Sequence, residues 1–228
     1  MTTQLPLFPL PLVLFPGTRL PLHIFEPRYR QLLADVLTEG AAREFGVLFR
    51  ADDVAERAIP MGHIGCIAVI EQSERLPDGR ANLLVRGSQR FRFEGLVATD
   101  RLYHVAATSA YEDVAEPPAS LAPLATEVVD LFHRVAAAAR ALTDDADTLP
   151  ELPDAAEQLA FAIAGMIDMD APTRQRLLVS RSAAGRLREV AEILSNAVDP
   201  LEHRAGVHAR SKQNGHGPDV TAPPPSAP

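Results

Sequence analysis

The chain of 228 residues has 46% hydrophobic and 23% charged residues, enough apolar material for one large core or two small ones and too much for wholesale disorder. Its net charge of −8 lies mainly in residues 116–203, where 15 acids stand against 7 bases, so the body is poorly suited to gripping phosphate backbones, which takes clustered Lys and Arg. Arg19 interrupts the longest apolar stretch, so no membrane span is predicted; the single cysteine, Cys66, excludes intramolecular disulfides and four-cysteine zinc sites and leaves a cytoplasmic setting as the default.

The apolar start lacks the basic residues and A-x-A site of a secretory signal and contains Pro6, Pro9 and Pro11, so it reads as structure. Prolines alternating with large apolar residues over 4–16 predict an extended edge segment, because proline cannot donate to a ladder. Leu12 to Phe15 are expected to be buried on both faces. Pro16-Gly17 marks a turn, and Leu20, Leu22 and Ile24 share one face of the next strand. At Glu26-Pro27-Arg28 the period changes: Tyr29, Leu32, Leu33, Val36 and Leu37 predict a short amphipathic helix ending at Gly40. Strands follow at Phe45–Arg50, Ile64–Gln72, Ala81–Arg86, Gln89–Thr99 and Tyr103–Tyr111, with a turn at Pro77-Asp78-Gly79. Short strands around one helix point to a mostly antiparallel β-barrel over residues 1–115.

From Ser120 the apolar stripe Leu121, Leu124, Val128, Leu131, Phe132, Val135 and Leu142 is helical. An acidic connector, 143–153, leads to a second helix with Asp154 and Glu157 as a capping box. A short helix holds Arg174–Val179, and a last one, capped by Ser182, is expected to stop before Asp199-Pro200. Residues 116–203 therefore read as a helical bundle, and residues 204–228, poor in large apolar side chains, as a disordered tail. The fold class is α+β.

Catalytic motifs are sought without success. The only lysine, Lys212, lies near the carboxyl end, outside any phosphate loop, which disposes of G-x-x-x-x-G-K-[ST] and of a Ser–Lys peptidase dyad. No G-x-S-x-G occurs. His63 and Cys66 have the spacing of half a zinc site with no second pair, and Cys66 among Ile64, Ile67 and Ala68 reads as a small buried hydrophobe. No catalytic residue, metal or cofactor is assigned. Arg86, Arg90 and Arg92 share parity along one strand, with Phe91 and Phe93 facing the core. They form a solvated face, or alternatively one that binds an anion or RNA.

The opening Leu7-Phe8-Pro9-Leu10, Phe15-Pro16-Gly17 and Pro21-Leu22-His23-Ile24-Phe25-Glu26-Pro27-Arg28-Tyr29 resembles the signature of the Lon amino-terminal domain family. Asn82–Gly87 with Arg90-Phe91, then Gln175–Val179 with Arg186-Leu187, resemble further parts of it, over roughly residues 4–199. The resemblance implies a PUA-like β-barrel with one packed helix, followed by a C-terminal helical bundle. It implies a non-catalytic substrate-recognition module, here in free-standing form. Its expected partners are unfolded or partly folded polypeptides, with a separate protease or chaperone as a second partner. The same barrel resembles RNA-binding PUA domains, so a binder of RNA or a small ligand is the alternative. Grooves between packed parts of a chain are common ligand sites. The binding surface is accordingly expected around the amino-terminal edge and the start of the first helix, with Phe8, Leu10, Phe25 and Tyr29 as apolar contacts and Arg19 and Arg28 holding a carboxylate or carbonyl.

Overall fold

The computed structural model describes residues 2–51, 54–143 and 151–214. Strands β1 (Thr3–Leu10) and β2 (Arg19–Ile24) are followed by helix α1 (Pro27–Val36), then by β3 (Glu44–Phe49), β4 (Ile64–Arg75), β5 (Ala81–Val97) and β6 (Val105–Ala110). Four helices complete the chain: α2 (Pro118–Thr143), α3 (Ala156–Met166), α4 (Ala171–Val179) and α5 (Ala183–Asn214). The class is mixed α+β. The strands form one sheet in the order β2-β5-β4-β3-β1-β6, and β6 pairs again with β5, so the hydrogen bonding runs in a circuit with β2 attached to β5 outside it. Among the described strands β1 with β3 is the parallel pair, and the other pairings are antiparallel.

Pro16-Gly17 enters β2 through a turn in which the Thr18 N–H donates to the Phe15 carbonyl at 3.2 Å. Gly17 has φ 80°, the left-handed conformation that glycine adopts without steric cost. Its N–H donates to the Gly87 carbonyl at 2.8 Å while the Gly87 N–H donates to the Thr18 carbonyl at 2.9 Å, a bulge with glycine in the left-handed position. Gly87 itself has no room for a side chain, since a Cβ there would lie 2.1 Å from the Phe15 oxygen. β5 passes through this point as one strand where the sequence suggested two, and its register against β4 shifts between Cys66 and Ala68.

The prolines do not make β1 an edge. Its first half, Thr3–Pro6, pairs with β6 and its second half, Leu7–Leu10, pairs with β3. Each half needs hydrogen bonds on one side only, which is how a proline-rich strand sits inside a sheet. β1 thus crosses diagonally from β6 to β3 and leaves one flank of each half open. α1 packs Tyr29, Leu32, Leu33 and Val36 onto Phe8, Phe45, Leu83 and Val85; Phe91 and Phe93 fill a neighbouring cluster with Leu5, Leu7 and Leu48.

The helices share a third cluster, in which Val128, Phe132, Ile163, Leu177, Leu187 and Leu194 meet Val13 and Phe15 of the segment after β1. Ser182 caps α5 as expected, accepting from the Gly185 N–H at 2.8 Å. α3, in contrast, starts at Ala156 behind Ala155 with no side-chain cap, so Asp154 and Glu157 do not form a capping box. α5 does not stop before Pro200 but continues to Asn214. The missing proline hydrogen bond is offset by packing on α2: Val198 is buried, and Arg134 grips Glu202 through two bonds of 3.0 Å. The segment expected to lack order from 204 is therefore helical as far as 214, with residues 204–207 and 210 mostly exposed; residues 215–228, and 144–150 of the connector, lie outside the described residues. No described helix is long and apolar enough to cross a membrane.

Candidate binding site

The open flank of the second half of β1 faces the start of α1 and the end of β2. Phe8, Leu10, Phe25, Arg28 and Tyr29 line one recess of about 180 Å³ there. Leu22 and Ile24 contribute from β2, and Arg50 and Glu56 close one end. Phe8 and Tyr29 are the buried floor, their rings edge to face with centroids 4.0 Å apart. Phe25 stands at the mouth with 59% of its surface exposed, stacked beside His23 at 6.2 Å. It lies between β2 and α1, where Pro27 opens the helix and Glu26 precedes it.

Arg28, Glu26 and Glu56 in the recess are paired with one another, and Arg50 donates to the Ala51 and Val54 carbonyls at 3.0 and 2.7 Å. Arg28 donates to Glu26 at 2.9 Å and to Glu56 at 2.8 Å; Glu56 also lies 3.2 Å from His104 Nε2 and accepts from the Tyr29 hydroxyl at 3.3 Å. Burial, then the Glu56 charge, push the Tyr29 phenol upward, so it stays a neutral donor. The recess therefore presents apolar surface bordered by a closed polar network.

Arg19 is not part of it. It lies on the outer face of β2, where it and Arg86 both donate to Glu71 at 2.8 Å. The Arg19 hydrogen bond, followed by that of Arg86, holds the Glu71 carboxyl below its usual range. Nor do Arg86, Arg90 and Arg92 share an open face. Arg90 is covered by the helices, with 6% exposure, and donates to the Leu178 and Ser180 carbonyls, each at 2.7 Å, and to Asp113. Arg186, fully buried, donates to both oxygens of the same Asp113 at 2.8 and 2.6 Å and lies 4.3 Å from the Phe161 ring centroid. Strand parity placed Arg90 on the outer face correctly, but what covers that face lies 88 residues away in sequence. This pair of arginines locks the sheet to the helices.

Cys66 is fully buried, and burial pushes its thiol up to about 12. Among the described residues no group of three or more His, Cys, Asp or Glu could hold a metal ion.

Comparison with known proteins gives this geometry a family. Residues 4–196 match the family described as the ATP-dependent protease La (LON) substrate-binding domain. The chain is 31% identical over 204 residues to Lon protease 2 of Herpetosiphon aurantiacus, covering 88% of this chain and 25% of that protein. It is 26% identical over 192 residues to Lon protease of Roseiflexus castenholzii, covering 83% and 24%. The chain thus spans about a quarter of the length of these relatives. Among solved structures, a Lon N-terminal domain protein from Xanthomonas campestris superposes with a TM-score of 0.58 at 28% identity, over 82% of this chain and 96% of that one. The N-terminal domain of the Mycobacterium avium complex Lon protease, at 18% identity, shares the fold with a TM-score of 0.59, over 85% and 98%. The chain belongs to the LON substrate-binding domain family.

Proposed function

We propose that this chain is a non-catalytic recognition module that takes exposed apolar segments of unfolded or partly folded polypeptides into the recess between β1 and α1. The observation that carries this reading is Phe25, a large aromatic side chain 59% exposed at the mouth of an apolar recess. An aromatic left in water beside a concave apolar surface is surface available for burial by a partner. The recess takes side chains singly, not a folded surface, which suits an extended or unfolded client. The circuit of strands is read as the PUA-like barrel of the family, and α2 to α5 as its helical bundle. A separate protease or chaperone would receive the client. RNA binding is the weaker reading, since Arg86 is engaged by Glu71 and Arg90 by Asp113.

The test is binding to a permanently unfolded polypeptide by the full chain and by Phe25→Ser and Leu10→Ser. Phe25→Ser is expected to weaken binding at least fivefold with the unfolding temperature unchanged, and the residual binding to persist in high salt, as apolar capture should. Binding that is unaltered in Phe25→Ser, or that collapses steeply with salt as phosphate recognition does, would contradict the reading.

A further inference from the structure

The first half of β1 has an open flank as well, on the side of β3. The parallel pairing begins at Leu7 opposite Gly46, although β1 starts at Thr3 and β3 at Glu44. In this ladder the Arg50 N–H donates to the Leu10 carbonyl at 2.9 Å. Alternation then makes Phe8 and Pro6 the next residues of β1 whose backbone is turned to β3. The bond due at Pro6 is an N–H donated to the Glu44 carbonyl, and proline has no N–H. The strands part at that point. The gap they leave holds about 320 Å³, between Gln4 and Pro6 on one wall and Arg43 and Glu44 on the other, with Arg101 and Tyr103 on the rim. On β3 the Arg43 carbonyl is turned the other way, accepting from the Ile70 N–H at 3.0 Å. Gln4 and Glu44 therefore direct backbone groups into the gap, and among the described residues no strand fills it.

Arg43 is the non-glycine residue at positive φ among the described residues, at 54°. That conformation costs a residue with a Cβ about 1–2 kcal/mol. Strain of this kind clusters at ligand sites. Its guanidinium has no hydrogen-bond or ion-pair partner among the described residues. The neighbouring Arg101 does: it donates to Asp35, which also accepts from the Tyr103 hydroxyl at 2.8 Å. Glu44, the other acid on the wall, opens β3 beside Arg43, and the two form no ion pair among the described residues.

We propose that this gap is a second binding site, distinct from the Phe25 recess, for the carboxyl-terminal end of an extended polypeptide. The incoming backbone pairs with Gln4 and Glu44 as an added strand, and its terminal carboxylate meets the free Arg43 guanidinium, a charge-assisted bond. An internal segment would satisfy the backbone groups but leave Arg43 unmatched, and a free anion would do the reverse.

The probe is an amino-terminally fluorescein-labelled heptapeptide of alternating valine and threonine, made with a free carboxylate and as its carboxyl-terminal amide, and titrated with the full chain by fluorescence anisotropy. The acid is expected to bind at least tenfold more tightly than the amide. Arg43→Gln should bring the acid to the level of the amide and leave the amide unchanged. Arg43→Gly should do the same with an unfolding temperature no lower than the wild type, because glycine suits that backbone. In Phe25→Ser the ratio of acid to amide affinity should stay as in the wild type, whatever both peptides lose at the Phe25 recess. Equal affinity for acid and amide, no binding of either, or an acid preference that survives Arg43→Gly would overturn the proposal; loss of the acid preference in Phe25→Ser would show one site rather than two.

Discussion

The junction between sheet and helices and the recess beside β1 are both bordered by arginines and aromatic rings, yet they are built to opposite ends. At the junction, Arg90 and Arg186 turn their donors inward, onto Asp113 and the carbonyls of Glu157, Leu178 and Ser180, and Arg186 covers Phe161. A recess of about 270 Å³ lies beside them, lined by Arg90, Tyr111, Asp113 and Phe161, but the charges on its wall are spent on one another. At the recess, Arg28 is neutralised by Glu26 and Glu56, while the aromatic Phe25 is left in water. The polar groups of the first region hold the molecule together, and those of the second keep a recess polar at its border and apolar within.

The largest expected effect tests the first half of this contrast. Asp113→Ala strands two arginines whose side chains are 4% and 0% exposed, and breaking a buried pair by removing one partner costs about 3–5 kcal/mol. Urea unfolding of the variant should show a loss of that order. A loss under about 1 kcal/mol, in the range of a surface pair, would mean that the junction is not held by this network.

His63 sharpens the same contrast by pH. Its imidazole is pulled below the usual histidine value of 6.5 by burial, against an opposing hydrogen bond to the Phe49 backbone. With the folded pKa below the unfolded one, the unfolded chain binds the extra proton first. Stability is therefore expected to fall as pH drops below about 6.5 and to level off under the folded pKa. His63→Gln should remove that component, seen as the wild-type minus variant difference in unfolding free energy. A difference that stays constant from pH 7.5 to 5 would contradict it.

The smallest effect concerns the end of α5. Residues 204–214 are helical, and of these 204–207 and 210 are mostly exposed, so a chain ended at 203 should unfold within about 0.5 kcal/mol of the full one. A larger drop would mean that this helical end docks.

Local pattern made much of this molecule legible. α1 followed from Pro27 and the spacing of Tyr29, Leu32, Leu33 and Val36, and the turn at Pro16-Gly17 from its residue types. What escaped was long-range. Prolines 6 and 9 suggested an edge strand, and only pairing on both sides shows that each half of β1 uses one neighbour. Parity put Arg90 among surface arginines, because the carbonyls at the end of α4, Leu178 and Ser180, that bury it are far away in sequence. Pro200 looked like a helix stop, and the packing of α5 on α2, with Val198 buried beside the proline, is what carries the helix past it. Of the expected site residues, those adjacent to the change from strand to helix, Phe25, Arg28 and Tyr29, gather with Phe8 and Leu10. Arg19 was drawn away by a carboxylate 52 residues distant.

The measurement that bears most directly on the recess is site-specific photo-crosslinking. A benzophenone amino acid would be placed at position 25, and in separate chains at position 207, where Val207 is 44% exposed on α5 away from both proposed sites, and at position 19. Each chain is irradiated with a permanently unfolded polypeptide. Strong crosslinking from position 25, competed away by unlabelled polypeptide, with little from positions 207 and 19, is the expected result. Equal yields from all three positions, or a yield from position 25 that competitor does not reduce, would contradict the claim that the recess beside β1 is where this module meets its client.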